Sequence, residues 1–221
     1  FEGDILNRNW AAERGWMMEH LPNGLFSLEK ESEMYFPATS IAYFRIPWRN
    51  LEPCESRYDL SLIDRVIDEA KVRGQKVMLR FPPHDARPGD LDLPEWLKKK
   101  ANLPEREIGD KLTPHHPLYF YHYAKFVREI GKYIDGNENI TSVDVSIVGA
   151  WGEGAKIRNV PEEMWRPIVD AHMESIKKTP IVLQHNHPES VSYANTFRPV
   201  GFRADCVGNM KEHMIGTYAR R

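Results

Sequence analysis

The chain has 221 residues, 41% hydrophobic and 28% charged, with a formal net charge of -2. That balance suits one sizeable globular core and excludes a disordered or fibrous protein. Charges of both signs are scattered along the sequence, leaving no basic face for a phosphate backbone, so nucleic acid is not expected as a partner.

The apolar runs, such as Ile140 to Ala150, fall far short of the roughly 20 residues that cross a bilayer, so no membrane span is expected. The chain opens at Phe1 with no initiator Met and no basic-then-apolar leader. That opening suits either a cytoplasmic protein or a periplasmic or secreted one whose leader has been removed. Cys54 and Cys206 have neither framework nor metal spacing and read as two unrelated thiols.

In chain order, Arg14 to His20 reads as a first strand. Ser40 to Trp48 is rich in β-branched and aromatic residues and reads as the next. Leu62, Ile63, Val66, Ile67 and Ala70 then recur at helical spacing, and Gly74 closes that helix. A short strand from Lys76 to Pro83 leads through a long loop to a helix from Pro117, closed by Gly136, and the strand Ile140 to Trp151 follows. Pro161 and the acidic pair Glu162 and Glu163 mark the N-terminus of another helix, followed by a strand over Pro180 to Asn186. A short helix over Pro188 to Phe197 and a strand over Val200 to Gly208 complete the pattern.

This is the βα alternation of a parallel sheet in a single domain over residues 1–221. The alternatives are a doubly wound sheet and a (β/α)8 TIM-type barrel. Polar residues at the strand ends favour the barrel: Arg45 and Trp48, Arg80 and His84, Trp151 and Glu153, Gln184 with His185 and Asn186, then Arg203 and Asp205. A barrel gathers all such ends on one face, and no glycine-rich phosphate fingerprint follows any strand. About six βα units are legible where a barrel has eight, so the domain is expected to lack its C-terminal strands.

Glu153 lies in a Gly-Glu-Gly turn after the strand, where flanking glycines let the backbone bend and present a carboxylate to a cleft. Trp151 beside it would shield the carboxyl, favour its protonated form and offer a face to a sugar ring. The competing reading makes Trp151 core and Glu153 a carboxylate at a helix N-terminus. Arg45 and Arg80, on adjacent strand ends, suit either an anionic group of a substrate or a structural acid such as Glu52. Asp205 is either a site carboxylate or the ion-pair partner of Arg203.

His84, His115, His116, His185 and His187 invite a metal, and alternate residues on a strand share a face. No zinc spacing such as H-E-x-x-H accompanies them, so neither metal nor cofactor is expected, and His185 reads better as a hydrogen-bonding partner of substrate hydroxyls.

The segment Arg45 to Phe81, with Arg45, Trp48, Leu51, Glu52, Pro53, Tyr58 and Asp59 in the pattern R-x-x-W-x-x-L-E-P-x-x-G-x-Y-D, resembles clan A glycoside hydrolases, particularly the β-galactosidase-like enzymes of family forty-two. The turn Gly149 to Gly154 is similar to the end of the fourth barrel strand in related proteins of that type, and Val200 to Asn209, more faintly, to the sixth. The resemblance implies a barrel acting on carbohydrate, with Glu153 as the acid/base and a second glutamate on strand seven as nucleophile. Two positions depart from the pattern: Gly152 replaces an asparagine that contacts the sugar 2-hydroxyl, and Ser56 stands where glycine is usual. No seventh strand is legible before Arg221, so no nucleophile is assigned.

The expected function is hydrolysis of oligo- or polysaccharide with Glu153 as proton donor, and Arg45, Trp48, Arg80, His84, Trp151, His185, Asn186 and Asp205 around the substrate. Trp48, Trp96 and Trp151 would supply the aromatic platforms. The alternatives are a noncatalytic carbohydrate-binding barrel and a metal-dependent hydrolase built on the histidines.

Overall fold

The computed structural model describes residues 40–83, 93–102, 116–149, 152–154 and 157–203. Its elements are β1 (Ile41–Arg45), α1 (Trp48–Leu51), α2 (Ser61–Val72), β2 (Lys76–Arg80), α3 (Glu95–Ala101), α4 (Pro117–Ile134), β3 (Ile140–Asp144), α5 (Glu162–Ser175), β4 (Ile181–Gln184), α6 (Pro188–Asn195) and β5 (Gly201–Arg203). The strand expected over Arg14 to His20 lies outside the described residues.

All pairings are parallel and the sheet order is β1-β2-β3-β4-β5. The order never reverses, so there is no topological switch point, and a doubly wound sheet is ruled out for these strands. Each strand is joined to the next through a helix, and such crossovers are right-handed, so the helices fall on one face. This is the winding of an incomplete (β/α)8 barrel.

Strand parity separates two chemistries. Ala42, Phe44, Val77, Leu79, Val143, Ile181 and Leu183 are buried and alternate with the polar positions. Tyr43 pairs with Met78 and Met78 with Ser142, while Arg45 pairs with Arg80 and Arg80 with Asp144, so a polar row runs across the other face. Tyr43 on β1 and Arg203 on β5 both reach Asp144 on β3. Each does so across an intervening strand, over about 9–10 Å of sheet. Convergence from both flanks makes the polar face the concave one.

The apolar face is covered by amphipathic helices. Leu62, Ile63, Val66, Ile67 and Ala70 of α2 are buried at 0–4% exposure. At about 1.5–3 kcal/mol for each large side chain, that stripe stabilises a helix that would be marginal alone. Tyr119 and Tyr123 of α4 fasten it to the strand ends, donating to the carbonyls of Ile147 at 2.7 Å and Phe81 at 2.6 Å. Gly131 permits the close approach of α4 to α5, since a Cβ there would stand 2.0 Å from Ser175 Oγ.

Two departures from the sequence reading concern the loops. The run Ser40 to Trp48 is strand only as far as Arg45, after which Pro47 precedes the single turn α1. The long loop after β2 contains α3.

Candidate active site

The segment most specific in sequence proves to be a folding device. Trp48 was expected as a sugar platform, and the structure overturns that. The indole is fully buried, ringed by Tyr119, Tyr123, Phe126 and Trp96. The turn α1 swings it away from the concave face and into the core. Its Nε1 donates to Glu52 Oε2 at 2.7 Å, and the backbone N–H of Ser56 donates to Glu52 Oε1 at 2.8 Å. Trp96 Nε1 donates to the Glu52 carbonyl at 3.0 Å, which ties this second expected platform to the same knot. Burial pushes the Glu52 carboxyl above its ordinary value, against the opposing pull of those two donors. Glu52 is therefore engaged here and is not the structural acid of Arg45 and Arg80. Asp59, the last residue of the pattern, accepts the backbone N–H of Ser61 at the start of α2 at 3.1 Å.

Ser56 has φ 59°, in the left-handed region that favours glycine, which explains the glycine of the related pattern. Its hydroxyl accepts from Lys125 Nζ at 2.7 Å.

The chemistry collects instead around Asp144. This wholly buried carboxylate accepts hydrogen bonds on Oδ2 from Arg80 Nε at 2.8 Å and the Tyr43 hydroxyl at 2.5 Å, and Arg80 Nη2 at 2.8 Å and Arg203 Nε at 2.7 Å pair with the same oxygen as ion-pair contacts. Burial, then the Asp144 charge, pushes the Tyr43 phenol well above its ordinary value, so it stays protonated and donates. Burial works against the Arg80 charge, but Asp144 first, then Tyr43 and Glu153, outweighs it and holds the guanidinium above its ordinary value. Asp144 was not anticipated as a site residue. The available signal was a lone charged residue in a β-run from Ile140 to Ala150, which demands a partner when buried.

Glu153 stands at the rim of this cluster. Gly152 and Gly154 flank it at φ 73° and 76°, and the turn closes with Gly152 N–H to the Gly149 carbonyl and Gly154 N–H to the Val148 carbonyl, both at 2.9 Å. The Glu153 side chain is 25% exposed, with Oε1 3.4 Å from Arg80 Nη1 and 3.7 Å from Arg45 Nη2. Asn186 Nδ2 donates to the Glu153 carbonyl at 2.8 Å, pinning the turn to the end of β4.

Thus Arg45, Arg80, Asn186 and Glu153 come together, with Arg203 added through Asp144. Arg80 has no exposed surface, so it supports the two carboxylates rather than facing a ligand. His185 is half-buried, with Nδ1 3.3 Å from the Arg203 carbonyl. His187 packs edge-on against Trp165, so the two histidines do not converge on one point. Among the described residues no three His, Cys, Asp or Glu side chains are grouped to hold a metal ion. His84, Trp151 and Asp205 lie outside the described residues.

Gly152, the departure from asparagine, has a steric cause. A Cβ there would stand 2.1 Å from Ser146 Oγ and 2.7 Å from Ser146 Cβ, on a backbone already at positive φ. No side chain fits in this turn as built.

A family model described as beta-galactosidase, of glycoside hydrolase family 42, matches residues 27–147, more than half of the chain; it ends short of Glu153. Among curated proteins none matches in sequence. Among solved structures, exo-beta-1,4-mannosidase Op5Man5 from Opitutaceae bacterium strain TAV5 is similar at 17% identity, with a TM-score of 0.50 over 67% of this chain and 26% of its own. Endo-glycoceramidase II from Rhodococcus sp. is similar at 23% identity, with a TM-score of 0.47 over 66% of this chain and 41% of its own. The chain thus spans about two fifths of the Rhodococcus enzyme and a quarter of the mannosidase.

Proposed function

Because the chain belongs to the beta-galactosidase family of glycoside hydrolases, we propose that it takes part in hydrolysis of the glycosidic bonds of an oligo- or polysaccharide, with Glu153 as proton donor. The observation that carries this reading is the position of Glu153: a quarter-exposed carboxylate at the C-terminal rim of the parallel sheet, where barrel enzymes hold their catalytic groups. Its glycine-flanked turn is pinned by Asn186 and its side chain is only loosely paired, so it can reach a leaving oxygen.

Arg45, 12% exposed, and the half-buried His185 and Asn186 stand at the same rim and would orient sugar hydroxyls through their polar atoms. Hydrolysis needs a second carboxyl about 5 Å away for retention or about 6.5–9.5 Å away for inversion. Asp144 does not serve, because its Oδ2 is filled by two arginines and a tyrosine inside the protein.

The test compares Glu153→Gln with the parent on aryl glycosides of graded leaving-group acidity and on oligosaccharides. Loss of the proton donor should lower kcat by about 10²–10⁴-fold on poor leaving groups and less on activated ones. Equal rates for both proteins would refute the assignment. Sugar binding without turnover by the parent would mark a noncatalytic binding barrel instead.

A further inference from the structure

Five side chains gather where the loop after α1 meets α3 and α4, and none belongs to the cluster at Glu153. Glu55 Oε1 accepts from Lys100 Nζ at 2.6 Å, and His122 Nδ1 stands 3.9 Å from the same oxygen. The neighbouring Ser56 hydroxyl accepts from Lys125 Nζ at 2.7 Å. The loop that carries Glu55 and Ser56 follows β1, and α3 follows β2, so both leave the C-terminal strand ends, the side on which Glu153 stands.

Two features set this cluster apart from an ordinary surface ion pair. His122 is only 5% exposed, edge-on to Trp96 with 5.0 Å between ring centroids, and makes no hydrogen bond among the described residues. Ser56 keeps its side chain on a backbone at φ 59°, where the related pattern has glycine, and its proton finds no acceptor among the described residues. Strain is retained there, and what it retains is a hydroxyl.

We propose that Lys100, His122, Lys125 and the Ser56 hydroxyl form an oxyanion-binding subsite whose internal occupant is the Glu55 carboxylate, displaced by a sulfate ester or uronate group of a charged polysaccharide. The polysaccharide part rests on the reading of the chain as a glycosidase. Glu55 is 42% exposed on a loop and hydrogen-bonds only Lys100, whereas an external oxyanion has oxygens enough for both ammonium groups, the hydroxyl and the imidazole. The local field agrees. The Lys100 hydrogen bond holds the Glu55 carboxyl below its ordinary value, and burial, then Lys100, holds the His122 imidazole below its own, with Lys125 acting in the same sense and Glu55 against it.

The test follows the His122 imidazole by NMR in the whole chain as sodium sulfate replaces sodium chloride at constant ionic strength. Loss of the signal in His122→Gln assigns it; should that variant not fold, its proximity to the Trp96 ring does so. Sulfate should produce a saturable displacement and raise the pH at which His122 titrates. Glu55→Gln should bind sulfate roughly tenfold more tightly, and Lys125→Gln or Ser56→Gly roughly tenfold more weakly. Ser56→Gly relieves the strained backbone, so its loss of affinity is not loss of fold. No saturable displacement, or no tightening in Glu55→Gln, overturns the subsite. Sulfated and uronate oligosaccharides, each set against its neutral counterpart, identify the source: preference for a charged chain supports the polysaccharide, and preference for neither overturns that part. None of these readouts needs turnover, so failure of Glu153 as proton donor leaves the subsite standing. In an active protein, Lys125→Gln should raise KM for the charged substrate and leave kcat on a neutral aryl glycoside unchanged.

Discussion

Replacing Gly152 with asparagine would restore the residue of the related pattern, and the structure predicts that the chain will not tolerate it. Asparagine accepts a positive φ better than most residues, so the backbone at 73° should cost about 1 kcal/mol. The larger penalty is steric: the new Cβ would overlap Ser146, with Oγ at 2.1 Å and Cβ at 2.7 Å. Overpacking of this kind costs about 1–3 kcal/mol, giving a total of about 2–4 kcal/mol. Urea unfolding of the parent, Gly152→Asn, Ser146→Gly and the double variant would measure it as a cycle. Ser146→Gly removes both overlapping atoms and leaves Ser146 Cα as the nearest, at 3.5 Å. The double variant should therefore recover the steric part, with a coupling of about 1–3 kcal/mol. A single variant as stable as the parent, or a cycle with no coupling, would refute the account of why glycine stands here.

Trp48→Ala should destabilise the fold by about 3–5 kcal/mol, because a fully buried indole leaves a cavity and orphans Glu52; denaturant unfolding that found it neutral would return Trp48 to the cleft. Ser56→Gly should stabilise the protein by up to about 1 kcal/mol, since relief of the left-handed backbone at 59° exceeds the added unfolded-state entropy, and a lowered melting temperature would count against it. Burial depresses His172 to about 4 from 6.5, so its stabilising contribution is complete above pH 6.5 and is lost as pH falls toward 4. That loss amounts to about 3 kcal/mol. His172→Leu should flatten the fall in stability across that window, and an unchanged slope in urea titrations at pH 4–7 would sink the claim.

The elements of the fold were largely legible because burial writes them directly into the chain. A sheet buried against helices needs apolar residues at alternate positions, and α2 needs them at helical spacing; both patterns stand in the sequence. The errors came where one local pattern serves two structures. Arg45 to Trp48 reads as the polar end of a strand, but Pro47 and the turn after it send the indole into the core. Most of the motif that marks the family encodes the knot around Glu52, and of its residues Arg45 stands beside Glu153 instead. A specific sequence pattern can be specific for folding.

The site was half legible for a different reason. Glu153 announces itself by its glycines, and Arg45 and Arg80 by their place at strand ends, each a local signal. Asp144 acquires its meaning from Tyr43, 101 residues before it, and from Arg80, 64 residues before it. Only the parallel register, which sets Arg80 beside Asp144, and the curvature that brings Arg203 across β4 join these residues. Their charges also compete, so the role of each depends on distances that no residue pattern contains. With Arg80 at 2.8 Å from Asp144 and 3.4 Å from Glu153, the buried acid lies closer to the shared cation than the partly exposed one does. Reversing those two distances would leave the sequence reading untouched and exchange which carboxylate lies closer to Arg80.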